Sequence, residues 1–211
     1  MRSLNSDNPV MRGLSMLGDL IALNLLWMAC CLPVVTAGAS TAALYAVALK
    51  LARGNDGAIF RRFFKAFRQN FRQASVIHLF LCVLIALLAA DFHICAQDNG
   101  LPGVLPVFLV LTAAAVMIFA SWVYPLTAQF ENSIRGTCGN AVKLAVIHPA
   151  ATLRMTVTNA IFLAITCLLW TALPNGLLFW LMLGGSGAAY MNSFALNRCF
   201  AHYFPTETNN H

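Results

Sequence analysis

The chain has 211 residues, of which 60% are hydrophobic and only 9% are charged, and its mean hydropathy is +0.74. A typical soluble domain carries about 25% charged residues, so this composition excludes an ordinary soluble protein and indicates a polytopic membrane protein. The formal net charge of +6 is typical of a membrane surface rather than a nucleic-acid-binding face, because the basic residues flank apolar segments.

A helix needs about 20 residues to cross a bilayer, and six apolar stretches are close to that length. We predict an all-α fold, a polytopic transmembrane helical bundle that forms one integral membrane domain over residues 1–211. The spans are predicted at residues 13–35, 36–51, 74–95, 101–128, 155–173 and 177–197. The second stretch is the shortest, and the alternative for it is a re-entrant or tilted helix packed against the first.

The basic residues predict the orientation. All thirteen Lys and Arg residues fall on one side of this threading, whereas the loops around residues 36–40, 96–100 and 174–176 contain none. Because short loops rich in Lys and Arg stay in the cytoplasm, we predict that both termini are cytoplasmic. A signal-peptide cleavage site at residues 37–39 is the less favoured alternative, since the sequence after it stays apolar.

Residues 58–73, called here the Phe/Arg segment, are predicted to form a cytoplasmic amphipathic interfacial helix. At 100° per residue the phenylalanines share one face and the basic residues occupy its flank. These residues are Phe60, Phe64, Phe67 and Phe71, with Arg61, Lys65, Arg68 and Arg72. We expect the helix to anchor in the headgroup plane, and a docking surface for another protein is the alternative.

Polar side chains interrupt the first span, where each is costly. Asp19 and Asn24 lie inside it, and Asn24 shares a helix face with Trp27. A hydrogen bond between helices would explain Asn24, and contact with a polar ligand is the alternative.

A break in the helix is predicted between the first two spans. Pro33 removes a backbone donor, and Gly38 permits a positive φ, so both are predicted as the structural break. The freed carbonyls near Thr36 could face a cavity and hold a ligand, although a plain hairpin turn explains the same residues.

Catalytic motifs are absent from the sequence, which has no HExxH, no Walker loop and no GxSxG. The seven cysteines include no CxxC and no external pair, so no disulfide framework is expected. Asp91, Cys95 and Asp98 share a helix face, but this mixture of ligands fits no standard metal site. We therefore expect no enzyme activity, no cofactor and no metal site.

A series of short motifs runs from residue 18 to residue 73. They are Gly18-Asp19-Leu20, Leu23-Asn24-Leu25-Leu26-Trp27, Cys31-Leu32-Pro33-Val34-Val35-Thr36-Ala37-Gly38, Ala43-Leu44-Tyr45, Arg53-Gly54 and Phe63-Phe64-Lys65-Ala66-Phe67-Arg68-Gln69-Asn70-Phe71. In this order they resemble the YesL-like family of bacterial inner-membrane proteins, a domain of unknown function.

The resemblance implies a multi-pass protein of the bacterial cytoplasmic membrane. Family members are often encoded beside sugar-uptake ABC transporters, which implies a role in carbohydrate uptake with such a transporter as a partner. The resemblance supplies no catalytic residues. It marks a structural and ligand-facing set that includes Asp19, Asn24, Trp27, Thr36 and Tyr45.

The expected function is therefore that of an accessory or permease-like component of carbohydrate uptake. The alternative is a structural or signalling membrane protein whose Phe/Arg segment docks a cytoplasmic partner or anionic lipid. The lipid bilayer is a partner in both cases, and no nucleic acid is expected.

The topology can be checked with reporter fusions. Because the basic residues lie on one side, fusions at Asn55, Glu131 and His211 should report a cytoplasmic location, and fusions at Asn99 and Asn175 an external one. An external signal at Asn55 would show that the second stretch does not cross the membrane.

Overall fold

The protein is described by a computed structural model that covers residues 9–55, 57–97, 104–172 and 176–203. These residues form seven α-helices and no strand, so the predicted all-α fold is confirmed. The helices are α1 (Pro9–Cys31), α2 (Val34–Leu51), α3 (Ile59–Gln97), α4 (Val104–Gln129), α5 (Ile134–Ile147), α6 (Pro149–Ala172) and α7 (Gly176–Tyr203).

Five helices in the described part of the chain, α1, α2, α3, α4 and α6, are long and apolar enough to cross a membrane. The chain therefore has the architecture of a multi-pass membrane protein. α7 covers the sixth predicted span but is not among the five, and its role as a span stays a prediction. Asp98, Asn99, Asn175 and the predicted external loops around residues 98–100 and 174–175 lie outside the described residues.

α2 is the most enclosed of these candidate spans and contacts α1, α3, α4 and α7. Its small side chains, including Ala39, Ala42 and Ala43, are fully buried and let the neighbouring backbones approach closely. With 18 residues it is only about 27 Å long, slightly less than the hydrocarbon core. Because four helices surround α2, its ends need not reach lipid on every side.

Gly38 is a close-packing position, which corrects its predicted role as a helix break. It lies inside α2, where a Cβ would come within 2.4 Å of both the Ala74 carbonyl oxygen and the His78 Cβ. The helix break lies at Pro33 alone, since α1 ends at Cys31 and Pro33 caps α2 with φ −80°. Glycine in the sequence predicts a turn here, but its missing side chain is what allows α2 and α3 to touch.

α3 is one continuous helix, which corrects the prediction of a separate interfacial helix over residues 58–73. It runs for 39 residues, about 58 Å, from the Phe/Arg segment into the third predicted span. No glycine or proline lies between Ile59 and Gln97, so nothing interrupts the backbone hydrogen bonds where the hydropathy changes. Phe63 is fully buried in the helix bundle rather than in headgroups.

The register between α2 and α3 follows from two contacts. Gly38 faces Ala74 and His78, and at the other end of α2 Lys50 lines one cavity with Arg61 and Lys65. α2 therefore runs antiparallel to α3, beside the Phe/Arg segment and the first turns that follow it. The apolar remainder of α3 continues past the start of α2 and packs with α4.

α5 is a short helix that joins α4 to α6. The Ser133 hydroxyl caps it by accepting a hydrogen bond from the Gly136 amide at 3.2 Å. Gln73 of α3 donates to the Thr137 hydroxyl at 2.7 Å, so α5 is tied to the Phe/Arg segment. Burial raises the pKa of the Cys138 thiol, which therefore stays protonated and poorly nucleophilic at neutral pH.

The packing role of Gly38 predicts that Gly38→Ala will destabilise the protein by about 1 to 3 kcal/mol, because the new Cβ would force α2 and α3 apart. Thermal unfolding in detergent measures this effect. Gly18→Ala on α1 is the matched control, since a Cβ there meets no atom within 4 Å. Equal melting temperatures for the two variants would contradict the packing role.

Candidate functional site

The turn between α1 and α2 is closed by Thr36. Its hydroxyl lies 2.6 Å from the Cys30 carbonyl and 2.8 Å from the Pro33 carbonyl, and it donates to these oxygens. Cys30 lies in the last turn of α1, where carbonyls have no partner within the helix, and Pro33 is the N-cap residue of α2. Thr36, one of the residues marked as ligand-facing, therefore stabilises the hairpin in this structure.

Asn24 joins α1 to α7 in a buried contact. It is 1% exposed, and its Oδ1 accepts a hydrogen bond from the Ser186 amide at 2.8 Å. Gly185 makes this contact possible, because a Cβ there would lie 3.0 Å from Asn24 Oδ1 and 2.6 Å from the Trp27 ring. The geometry favours the interhelical hydrogen bond over a ligand contact for Asn24.

Trp27 joins α1 to α2. Its indole Nε1 donates to the Thr41 hydroxyl at 3.2 Å, and the Ser40 hydroxyl donates to the Trp27 carbonyl at 2.9 Å. The polar atoms of Trp27 are thus satisfied within the hairpin. Asp19 lies half-buried on α1, about two turns before Trp27.

A groove runs between α1, α6 and α7 beside these residues. It has a volume of about 460 Å³ and is lined by Asn24 and Trp27 together with Phe162, Trp170 and Gly185. Most of the lining residues have aromatic or small side chains, so few polar groups face the groove. Such a groove suits an apolar or amphipathic occupant, with Asn24 at its inner wall.

The main polar feature of the interior is a chain of uncharged hydrogen-bonding groups across α2, α7, α6 and α4. Asn192 Nδ2 donates to the Tyr45 hydroxyl at 3.3 Å and to Asn159 Oδ1 at 2.8 Å. Asn159 Nδ2 in turn donates to the Ser121 hydroxyl at 2.8 Å, which donates to the Met117 carbonyl. We call these four residues, Tyr45, Asn192, Asn159 and Ser121, the amide chain.

The amide chain brings together one predicted site residue and three that the sequence analysis did not single out. Asn159 and Asn192 are amides in predicted spans, the same signal that drew attention to Asn24. The buried Oδ1 of Asn192 has no donor within the described part of the chain. Asn192 can therefore accept one further hydrogen bond.

A second polar contact links α3 to α4. His78 Nδ1 lies 2.7 Å from the Tyr124 hydroxyl, and Cys82 Sγ lies 3.4 Å from the other ring nitrogen. His78 also faces Gly38, so α3 meets α2 and α4 at the same point along its length. Among the described residues no group of three metal-ligating side chains lies together.

The Phe/Arg segment has one exposed side and one side that packs against the core. Phe60 is 60% exposed and Phe64 48%, whereas Phe67 is half-buried against the core. Phe71, Arg61, Lys65, Arg68 and Arg72 are also exposed. The predicted apolar face thus exists, although it belongs to a long helix of the bundle.

The structural role of Asn24 predicts that Asn24→Leu will lower stability by about 1 to 3 kcal/mol, because it removes the acceptor of the buried Ser186 amide. Thermal unfolding in detergent is the measurement. Thr112→Val is the control, since the Thr112 hydroxyl donates to the Phe108 carbonyl of its own helix. An Asn24→Leu variant as stable as the control would favour a ligand-facing Asn24.

Two comparisons bear on the identity of the chain. Residues 20–92 match the family described as "Protein of unknown function, DUF624". The chain is 31% identical over 120 residues to the uncharacterized protein YesL of Bacillus subtilis (strain 168), a match that covers 55% of each chain. The chain thus spans about half the length of the curated relative that it matches.

No solved structure matches the chain. The family match covers α2, the second half of α1 and the greater part of α3, so it includes the hairpin, the Gly38 crossing and the Phe/Arg segment. These findings confirm the resemblance noted in the sequence: residues 20–92 are similar to the DUF624 family, and about half of the chain is similar to YesL.

Proposed function

We propose that this protein is an accessory or permease-like membrane component of carbohydrate uptake, with no catalytic chemistry of its own. The amide chain is the observation that carries the proposal. It places amide and hydroxyl groups, and no charged group, at the meeting point of four apolar helices. Uncharged donors and acceptors of this kind match the hydroxyl groups of a neutral sugar.

Within the amide chain, the unused acceptor is Asn192 Oδ1, which has no donor in the described residues. A polar group buried in an apolar bundle without a partner is costly, so its retention supports a functional role. Tyr45 also has spare capacity, because its hydroxyl accepts a hydrogen bond from Asn192 and can still donate one.

Access to the amide chain would come from the groove between α1, α6 and α7. Asn159 precedes the groove residue Phe162 by three positions on α6, and Asn192 follows the groove residue Ala188 by four on α7. Residues three and four apart share a helix face. A sugar would therefore reach the amides if α6 and α7 separate along this groove, as helices do in transporters with alternating access.

The bacterial inner membrane and a sugar ABC transporter belong to the same proposal as location and partner, on the strength of the family resemblance. The cytoplasmic position of both termini is supported by the distribution of basic residues.

The test is sugar-dependent thermal stability of the purified protein in nanodiscs, over a panel of neutral mono- and oligosaccharides. At least one sugar should raise the melting temperature of the wild type. Asn192→Leu should weaken that sugar's binding about 10- to 100-fold, because a lost buried hydrogen bond costs about 1 to 3 kcal/mol.

Thr112→Val serves as the control and should respond to the sugar like the wild type. A wild-type protein that no sugar stabilises, or an Asn192→Leu variant with an unchanged sugar response, would argue against this function.

A structural or signalling role is the second candidate, favoured by the exposed phenylalanines. Phe60, Phe64 and Phe71 are 40% to 60% exposed on α3, with Arg68 and Arg72 exposed nearby. Such a face can dock a cytoplasmic partner or an anionic lipid surface. This candidate predicts no sugar dependence in the same measurement.

A further inference from the structure

A second cavity lies where α2 ends and α3 begins. Its volume is about 440 Å³, and polar and basic side chains of three helices line it. The residues that matter here are Lys50 of α2, Arg61, Arg62, Lys65 and Gln69 of α3, and Gln129 at the end of α4. We call it the basic cavity.

The tertiary structure concentrates positive charge in the basic cavity. Arg61 and Lys65 are four residues apart on α3, and the hairpin brings Lys50 to the same space. Like charges at this spacing repel each other along a helix. None of the carboxylates in the described part of the chain lines the cavity, so a bound anion would relieve this repulsion.

Arg62 is held in place by the loop between the two helices. Its guanidinium donates to the Asn55 carbonyl and, at 3.1 Å, to Asn55 Oδ1. These bonds fix one cation at the rim, whereas Lys50, Arg61 and Lys65 are exposed and can reach an occupant. One wall is thus preorganised, which lowers the entropic cost of binding.

We propose that the basic cavity binds a phosphate group. Arginine presents a planar fork of donors that matches phosphate oxygens, and lysine adds point charges. The side-chain amides of Gln69 and Gln129 supply further donors at the same wall. Four cations suit a phosphate better than a single carboxylate, because a phosphate offers more charge and more acceptor oxygens.

Two sources can supply this phosphate. One is the headgroup of an anionic lipid, which basic pockets between membrane helices bind. The other is a free phosphate or a soluble phosphorylated compound. The basic cavity is separate from the amide chain and from the exposed phenylalanines, since neither Tyr45 nor Phe60 nor Phe64 lines it.

The test uses the full chain in phosphatidylcholine nanodiscs. One arm adds phosphatidylglycerol to the bilayer, and the other adds inorganic phosphate to the buffer. Thermal stability is measured in both arms, and native mass spectrometry measures retained lipid in the first. The variant Lys50→Gln/Arg61→Gln/Lys65→Gln removes three cations of the cavity.

The matched control is Arg135→Gln/Arg154→Gln/Arg198→Gln, which lies outside the Phe/Arg segment. It removes the same charge from exposed residues that do not line the cavity. The cavity variant should lose affinity for the phosphate-bearing probe about 100-fold, given the contribution of each cation near an anionic group. The control should keep the response of the wild type.

A response to phosphatidylglycerol alone assigns the site to lipid, and a response to inorganic phosphate assigns it to a soluble ligand. The proposal fails if neither probe stabilises the wild type, or if both triple variants lose the response equally. If the cavity variant does not assemble, Lys50→Gln is compared with Arg135→Gln, and equal affinities overturn the proposal.

Discussion

The close approach of α2 and α3 at Gly38 is the contact on which the rest of the bundle depends. α2 is a short helix enclosed by four neighbours, and only side chains as small as those of Gly38, Ala39 and Ala42 let it sit there. Once this crossing is set, His78 of α3 lies beside Tyr124 of α4. The same register carries the other end of α2 to the first turns of α3.

The buried polar groups of the interior are of two kinds: those whose hydrogen bonds are all made, and those with a donor or acceptor still unused. Asn24 Oδ1 accepts from the Ser186 amide, which holds α1 to α7, and the Trp27 indole donates to Thr41 within the first hairpin. The amide chain differs, because Asn192 keeps an acceptor to spare within the described residues. In an apolar bundle, spare capacity is the feature most easily explained by a polar solute.

α2 connects the two sites that we propose. Tyr45 belongs to the amide chain, and Lys50, five residues further along, lines the basic cavity. Five residues of helix cover about 7.5 Å, so a small movement of α2 would displace Tyr45 in the amide chain and Lys50 in the basic cavity together. The neighbouring residue Ala46 also lines the basic cavity, which makes the two sites adjacent on one rigid element.

The sequence was sufficient for the class of protein and for much of its local structure. Composition alone predicted apolar helices, and Pro33 predicted the break between α1 and α2, since both are local properties of the chain. The sequence also predicts a continuous α3, because residues 59–97 contain no glycine or proline. The change in hydropathy near residue 74 predicts two separate helices, but backbone hydrogen bonding does not depend on hydropathy, so the helix continues.

The partners of each helix face were decided only by the tertiary structure. Gly38 suits a turn and a close crossing equally well, and only the position of Ala74 distinguishes them. Tyr45 and Asn192 are separated by 147 positions in the chain, and their contact exists because α2 and α7 pack together. A helical pattern shows which residues share a face, but several arrangements of a bundle can bury that face. The packing of the whole chain selects one of them.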